Sequence, residues 1–112
     1  MMEELDKEFF SACSQGDVVK VQELLADHNI NINANCESSA TIETPFYHAC
    51  TEGQIEVVKL LLNDSRVDVN WVDSHGHTAF FIICRIGYTE IVKLLLNEHL
   101  FILLVVMDGL GL

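Results

Sequence analysis

Cysteines and histidines are the residues of this sequence whose side chains could support catalysis or bind a metal. A nucleophilic thiol needs a histidine partner and surroundings that lower its pKa. His48 lies two residues from Cys50, and on a helix that spacing directs the two side chains to different faces. We therefore predict no thiol catalysis at this pair. Cys36, which lies in a polar stretch, is the cysteine best placed to react.

A His-x-His pair, His75 and His77, is the strongest indication of a metal site. Zinc sites in proteins use three or four side-chain ligands, so this pair needs at least one more. His28, Cys36 and His99 have no spacing that supplies it. We predict solvent-exposed turn histidines, with neither a bound metal nor a cofactor.

The elements that must position these side chains are repeated along the chain. Residues 44–64 and 78–98 are identical at 11 of 21 positions, at an offset of 34. A weaker copy at an offset of 37 covers residues 9–25. The chain therefore divides into three copies, the last of them incomplete, at approximately residues 1–35, 36–72 and 73–112.

Each copy has the pattern of a short helix, a tight turn, a second helix and an extended loop. Thr44 and Pro45 suit the cap and the first position of a helix, and Gly53 suits its end. The second helix carries one apolar stripe, formed by Ile55, Val58, Leu61 and Leu62. One helix pair cannot bury its apolar faces alone, so we expect the copies to stack around a continuous core.

These segments resemble the ankyrin repeat. "TPFYHAC", the following glycine, "VVKLLL" and "DVN" correspond to its signature of T-P-L-H-x-A-A, a glycine, an apolar helix and D-V-N. The first copy resembles the N-terminal capping form of the repeat. The resemblance implies an all-α repeat solenoid, a single domain over residues 1–112 of stacked helix-turn-helix repeats with hairpin loops.

Two departures from the ankyrin signature affect the turns. Tyr47 and Phe81 stand where the signature has a histidine that hydrogen-bonds between neighbouring turns. We expect aromatic packing to replace that contact. Ile42 stands where the hairpin glycine is expected, so we expect the first hairpin to be irregular.

The cysteine pattern predicts reduced thiols. None of the four cysteines forms a C-x-x-C pair, and the N-terminus has no signal peptide. We therefore predict an intracellular, cytoplasmic protein, with the nucleus left open. Three cysteines share one repeat position, and we expect them to be small buried hydrophobic residues: Cys13, Cys50 and Cys84.

The charge balance constrains the partner. The net charge is −11, from 17 acids and 6 Lys and Arg, which argues against binding nucleic acid or an anionic membrane and favours a basic partner. The acids of residues 1–27 either form the polar face of a capping repeat or a docking site for such a partner. The longest apolar stretch, residues 100–107, is too short to span a bilayer.

The resemblance implies a protein-binding surface at the hairpin tips and the concave face of the short helices, and no catalytic residues. We predict a non-enzymatic adaptor or stoichiometric inhibitor; the alternative is a fragment or targeting segment of a larger multidomain protein. Trp71 either contacts the partner or packs on its own hairpin or the next one. The other implied positions are Ser14, Gln15, Thr41, Glu43, Thr51, Glu52, Ser74, His75, His77, Arg85 and Ile86.

The C-terminal sequence "LFILLVVMDGLGL" departs from the polar arm that follows the other copies. Three explanations are open. The chain is a fragment of a longer array, or the tail folds back over the last helix pair, or the apolar end mediates weak self-association.

Overall fold

The computed structural model describes residues 4–38 and 41–97. Within these residues the helices come in three pairs, and one two-stranded hairpin precedes the second pair. The elements are α1 (Glu4–Gln15), α2 (Val18–Leu25), β1 (Cys36–Ser38), β2 (Thr41–Glu43), α3 (Pro45–Thr51), α4 (Ile55–Leu62), α5 (Ala79–Ile86) and α6 (residues 89–97).

Threonine caps start the short helices of the second and third copies. The Thr44 side chain accepts a hydrogen bond from the backbone N–H of Tyr47 at 3.2 Å, and Thr78 accepts one from Phe81 at 3.2 Å. Both threonines are buried, so the caps satisfy helix N–H groups that water would not reach. Pro45 follows the first cap at the start of α3, where no backbone N–H is needed.

The turn between α3 and α4 depends on Gly53, whose φ is 71°. A Cβ atom there would also lie 3.2 Å from the Cζ atom of Tyr88. We expect Gly53→Ala to lower the free energy of unfolding by more than about 1–2 kcal/mol, since backbone strain and a close contact add. Urea unfolding of the purified variant, followed by circular dichroism, measures this loss.

Gly76 is the matched control for this substitution. Its φ of 79° imposes similar strain, but a Cβ atom there would meet nothing within 4 Å among the described residues. Gly76→Ala should therefore lower the free energy of unfolding only by the cost of the backbone strain. Equal losses in the two variants would show that the contact with Tyr88 contributes nothing.

The helix pairs stack so that each short helix packs on the next. Helix α1 contacts α2 and α3, α3 contacts α4 and α5, and α2 contacts α4. One hydrophobic core runs through all three pairs, with Phe9, Leu61 and Ile83 fully buried in successive copies. The predicted all-α repeat solenoid is confirmed, because the buried surface of each copy is completed by its neighbour.

The structure describes the two strands of the first hairpin. Strands β1 and β2 pair antiparallel, with Cys36 opposite Glu43 and Glu37 opposite Ile42. Ile42 lies inside β2, where an extended backbone suits a β-branched residue. The expected irregularity of this hairpin stays a prediction, because its turn, residues 39–40, lies outside the described residues.

The second hairpin is a turn closed by one bridge between Val72 and Thr78. The backbone N–H of Asp73 donates to the carbonyl of His77, and that of Gly76 donates to the carbonyl of Asp73, both at 3.0 Å. The turn therefore ends directly at the cap of α5.

Among the acids of α1, only Asp6 is buried. Glu4 and Glu8 face solvent, whereas Asp6 is buried and accepts a hydrogen bond from the backbone N–H of Asn31 at 2.9 Å. Asp6 therefore ties α1 to the loop after α2. The exposed acids are compatible with both predictions, the polar face of a capping repeat and a docking site for a basic partner.

The C-terminal segment, with its predicted fold-back or self-association, lies outside the described residues. No helix within residues 4–38 and 41–97 is long and apolar enough to cross a membrane.

Candidate functional site

The structure divides most of the predicted partner-binding residues into two groups. The first surrounds His48 and contains Ser14, Glu43, Thr51 and Glu52. The second lies on the second hairpin and α5 and contains Trp71, Ser74, His75, His77, Arg85 and Ile86. Gln15 is exposed on α1 and donates to Ser11 Oγ at 3.2 Å, and Thr41 lies in β2 with its side chain outside the described part of the chain.

The first group makes hydrogen bonds inside the fold. The Nδ1 atom of His48 lies 2.5 Å from Glu43 Oε1, and its Nε2 atom lies 3.0 Å from Ser14 Oγ. The ring also packs on Phe10 at a centroid distance of 4.9 Å. Because Ser14 and Phe10 belong to the first copy, these contacts hold the first and second copies together.

Thr51 and Glu52 complete this group. Thr51 Oγ1 donates to the carbonyl of His48 at 2.9 Å, and Glu52 Oε1 lies 3.6 Å from His48 Nε2. The Glu52 side chain is half exposed. Within this group Glu52 is therefore the side chain that faces solvent most.

A groove with a volume of about 500 Å³ separates the two hairpins. Inside it, the Tyr47 hydroxyl donates to Asp73 Oδ2 at 2.6 Å. The indole of Trp71 meets the Tyr47 ring edge-on, with centroids 5.2 Å apart. The lining residues are Ile42, Glu43, Tyr47, Trp71, Val72, Asp73, Ser74 and His75.

Tyr47 therefore replaces the missing histidine in two ways. The expected aromatic packing is present, as the contact with Trp71, and the hydroxyl adds a hydrogen bond to the next turn. Trp71 is half-buried and packs on α3 of its own copy. Its proposed contact with a partner stays a prediction.

Asp73 organises the second hairpin. Its Oδ1 atom accepts hydrogen bonds from the backbone N–H groups of His75 and His77, both at 2.9 Å. Burial alone would raise the pKa of Asp73, but the hydrogen bonds from Tyr47 and from these N–H groups outweigh it and hold the pKa below its ordinary value. Burial and the Asp73 hydrogen bond raise the pKa of Tyr47. The pair is therefore a neutral phenol donating to a carboxylate.

Four planar side chains form a continuous strip from the second hairpin along α5. His75 stacks on His77 with centroids 6.0 Å apart, and His77 stacks on Phe81 at 4.3 Å and an angle of 16°. The guanidinium carbon of Arg85 lies 5.6 Å from the Phe81 centroid. We call these residues the aromatic strip. Ile86, which is 47% exposed, follows Arg85.

The sequence contained a signal for the aromatic strip that the motif comparison missed. His77, Phe81 and Arg85 are spaced four residues apart, a spacing that places side chains on one face of a helix. In the comparison with the ankyrin signature, Phe81 only takes the place of a histidine. Its position between two predicted site residues makes it part of the same surface.

The buried thiols lack the lowered pKa of a nucleophilic cysteine. Burial raises the pKa of Cys13 to about 12 and raises the pKa of Cys50 as well. A reactive cysteine needs a lowered pKa instead. The expected burial of these two thiols is confirmed.

The expected burial of Cys84 is wrong, because this thiol is exposed. Cys13 and Cys50 lie on α1 and α3, and each of those helices is covered by the short helix of the next copy. Within the described residues no further short helix packs on α5. Burial at this repeat position therefore depends on the neighbouring copy.

The exposure of Cys84 and the burial of Cys13 and Cys50 predict how fast each thiol reacts. In a Cys36→Ser variant, we expect one thiol to react rapidly with a thiol reagent under native conditions and three to react in denaturant. Spectrophotometric counting with a disulfide reagent, and mass spectrometry of the labelled peptide, would identify the fast site as Cys84. Rapid native labelling of Cys13 or Cys50 would contradict the packing described above.

The histidines and acids of the described residues form no group of three or more that could hold a metal. His75 and His77 stack on each other, and His77 Nδ1 lies 3.8 Å from Asp73 Oδ2. Both rings belong to the surface of the second hairpin.

Three stacked helix pairs joined by hairpins define a helical repeat protein. A comparison with protein families matches ankyrin repeats in three copies over residues 9–104, and the chain belongs to the ankyrin repeat family. Ankyrin repeats generally mediate protein–protein interactions and typically have no enzymatic activity. No curated protein sequence matches this chain significantly.

Proposed function

We propose that this protein is a non-enzymatic interaction module, acting as an adaptor or a stoichiometric inhibitor. The partner binds the hairpin tips and the concave face of the short helices. The observation that supports this proposal best is the aromatic strip, which joins the tip of the second hairpin to the exposed side of α5. Planar, stacked side chains lose little conformational entropy on binding, so they suit a protein interface.

A triple variant at the second group tests this surface. His75→Ala, Arg85→Ala and Ile86→Ala together remove exposed side chains while leaving the core in place. The partner is first identified by pull-down from native cells and mass spectrometry, and its affinity is then measured by calorimetry. We expect a loss of at least about tenfold, the size that hot-spot residues produce.

The matched control changes three exposed positions around α4: Glu56→Ala, Lys59→Ala and Asn63→Ala. It should bind the partner as the wild type does, and circular dichroism should show native helix content in both variants. Full affinity in the first triple variant, or an equal loss in the control, would contradict the proposed surface.

That the chain is part of a larger multidomain protein stays an alternative prediction. It is tested by reading the open reading frame beyond Leu112.

A further inference from the structure

Arg85 differs from every other cation of this acidic chain. The sequence has 6 Lys and Arg, and five of them lie within 4.0 Å of a carboxylate of their own chain. Arg85 makes neither an ion pair nor a hydrogen bond with the described residues. The paired cations are Lys7, Lys20, Lys59, Arg66 and Lys93.

The guanidinium of Arg85 lies over an aromatic ring, although no carboxylate of the described residues pairs with it. Its contact is the ring of Phe81, which itself stacks on His77 at 4.3 Å. A guanidinium held against a ring keeps its N–H donors at its edges, where a second group can reach them. Arg85 is therefore an exposed, pre-positioned set of hydrogen-bond donors.

We propose that Arg85 binds the carboxylate of an aspartate or glutamate side chain on the protein partner. The two oxygens of a carboxylate match the parallel N–H groups of arginine, and such paired hydrogen bonds are among the strongest in proteins. This inference rests on the proposed function and names one chemical requirement of the partner. The expectation of a basic partner then applies to the partner as a whole, because the segment that meets α5 carries an acidic residue.

A carboxylate fits this position better than a phosphate group. A phosphate carries nearly two negative charges and would approach a protein of net charge −11. Sites for phosphorylated segments usually contain a cluster of arginines, whereas Arg85 is the one unpaired Lys or Arg of the described residues. A single negative charge matches this single cation.

The neighbouring side chain suggests what flanks the acidic residue. Ile86 follows Arg85 and is 47% exposed, and His75 lies at the other end of the aromatic strip. A partner segment with an apolar residue next to its acid would cover Ile86 while the acid reaches Arg85. Such apolar cover also excludes water from the ion pair, which strengthens it.

Selection of peptides tests this proposal without knowledge of the partner. A phage-displayed library of random peptides is selected on the full-length protein, and the frequency of aspartate and glutamate is read at each position. We expect enrichment of an acid at one position with the wild type and none with Arg85→Gln. Arg85→Glu should select lysine or arginine at that position instead.

Synthetic peptides then measure the size of the effect. Replacing the selected acid by its amide should weaken binding to the wild type by at least about tenfold, since a hydrogen bond to a charged group is lost. The same replacement should leave binding to Arg85→Gln unchanged. Arg85→Lys keeps the positive charge but cannot form the paired hydrogen bonds. Its affinity for the acidic peptide should therefore lie between those of the wild type and Arg85→Gln.

Lys93→Gln is the matched control, because Lys93 is exposed and pairs with Glu90 at 3.7 Å. It should select the same peptides as the wild type. Equal acid enrichment in Arg85→Gln, binders without an acid, or binding of phosphorylated peptides alone would overturn the proposal while leaving the interaction function intact. A library without any binder would count against the proposed function itself.

Discussion

Replacing Leu61 by alanine is expected to lower the free energy of unfolding by about 2–5 kcal/mol, the usual range for a buried leucine. Leu61 is 0% exposed and lies on α4, which packs against both α2 and α3. The cavity left behind would therefore weaken the second helix pair and its contact with the first. In a short array such a loss is a large part of the total stability. Urea unfolding at pH 7 gives the value.

Leu96→Ala is the matched control, because it removes the same atoms from a position that is 37% exposed. We expect a cost well below that of Leu61→Ala, since a partly solvated leucine loses less transfer free energy and leaves no closed cavity. Unchanged m values would show that both variants still unfold as a unit. Similar losses at the two positions would contradict the burial of α4 described here.

The helices could be predicted from the sequence because their signals are local. Thr44 caps a helix as predicted, and Thr78 caps the equivalent helix of the third copy. The predicted apolar stripe that begins at Ile55 lies on α4 (Ile55–Leu62). Caps, glycine turns and apolar stripes each involve residues within one or two helical turns. Repetition strengthens these signals, because a pattern that arises by chance rarely recurs at the equivalent positions of a second copy.

Predictions that depended on neighbouring copies were less successful. Cys84 has the repeat position of Cys50, yet it is exposed because the environment of that position comes from the next short helix. A sequence pattern identifies equivalent positions, but it does not show what packs on each of them.

The contacts that build the candidate site were missed for the same reason. His48 meets Ser14 across 34 residues, and Tyr47 meets Asp73 across 26. Tyrosine and histidine both carry a polar atom at the end of a ring. The sequence alone therefore does not show whether Tyr47, in place of the histidine, still makes the hydrogen bond to the next turn. That answer depends on the distance between two copies, which only the assembled fold provides.

The hydrogen bond between Tyr47 and Asp73 is expected to make the largest polar contribution to the candidate site. Its length is 2.6 Å, and it joins α3 to the second hairpin. Tyr47→Phe should lower the free energy of unfolding at pH 7 by about 1.5–3 kcal/mol, the cost of losing a hydrogen bond to a charged group. Tyr88→Phe is the control, because the Tyr88 hydroxyl makes no hydrogen bond within the described residues; we expect a change below about 0.5 kcal/mol.

The effect of Tyr47→Phe should depend on pH in a defined direction. The pKa of Asp73 is lowered in the folded protein, so the folded state favours the carboxylate. Its stabilisation is therefore complete above the unfolded pKa of about 3.9 and is lost as the pH falls through the lower folded value. Without the Tyr47 donor the folded pKa of Asp73 should rise, and the difference between wild type and Tyr47→Phe should shrink below about pH 4.

A double-mutant cycle with Asp73→Asn separates this pair from the other contacts of Asp73. The amide still accepts a hydrogen bond from the backbone of the turn, but it removes the charge that the phenol meets. We expect a coupling free energy of about 0.5–3 kcal/mol between the two substitutions at pH 7. That coupling should weaken at acid pH, where the wild-type carboxyl is protonated. Additive losses at pH 7 would show that the Tyr47 hydroxyl is not coupled to Asp73, and that the ring contact with Trp71 is what replaces the missing histidine.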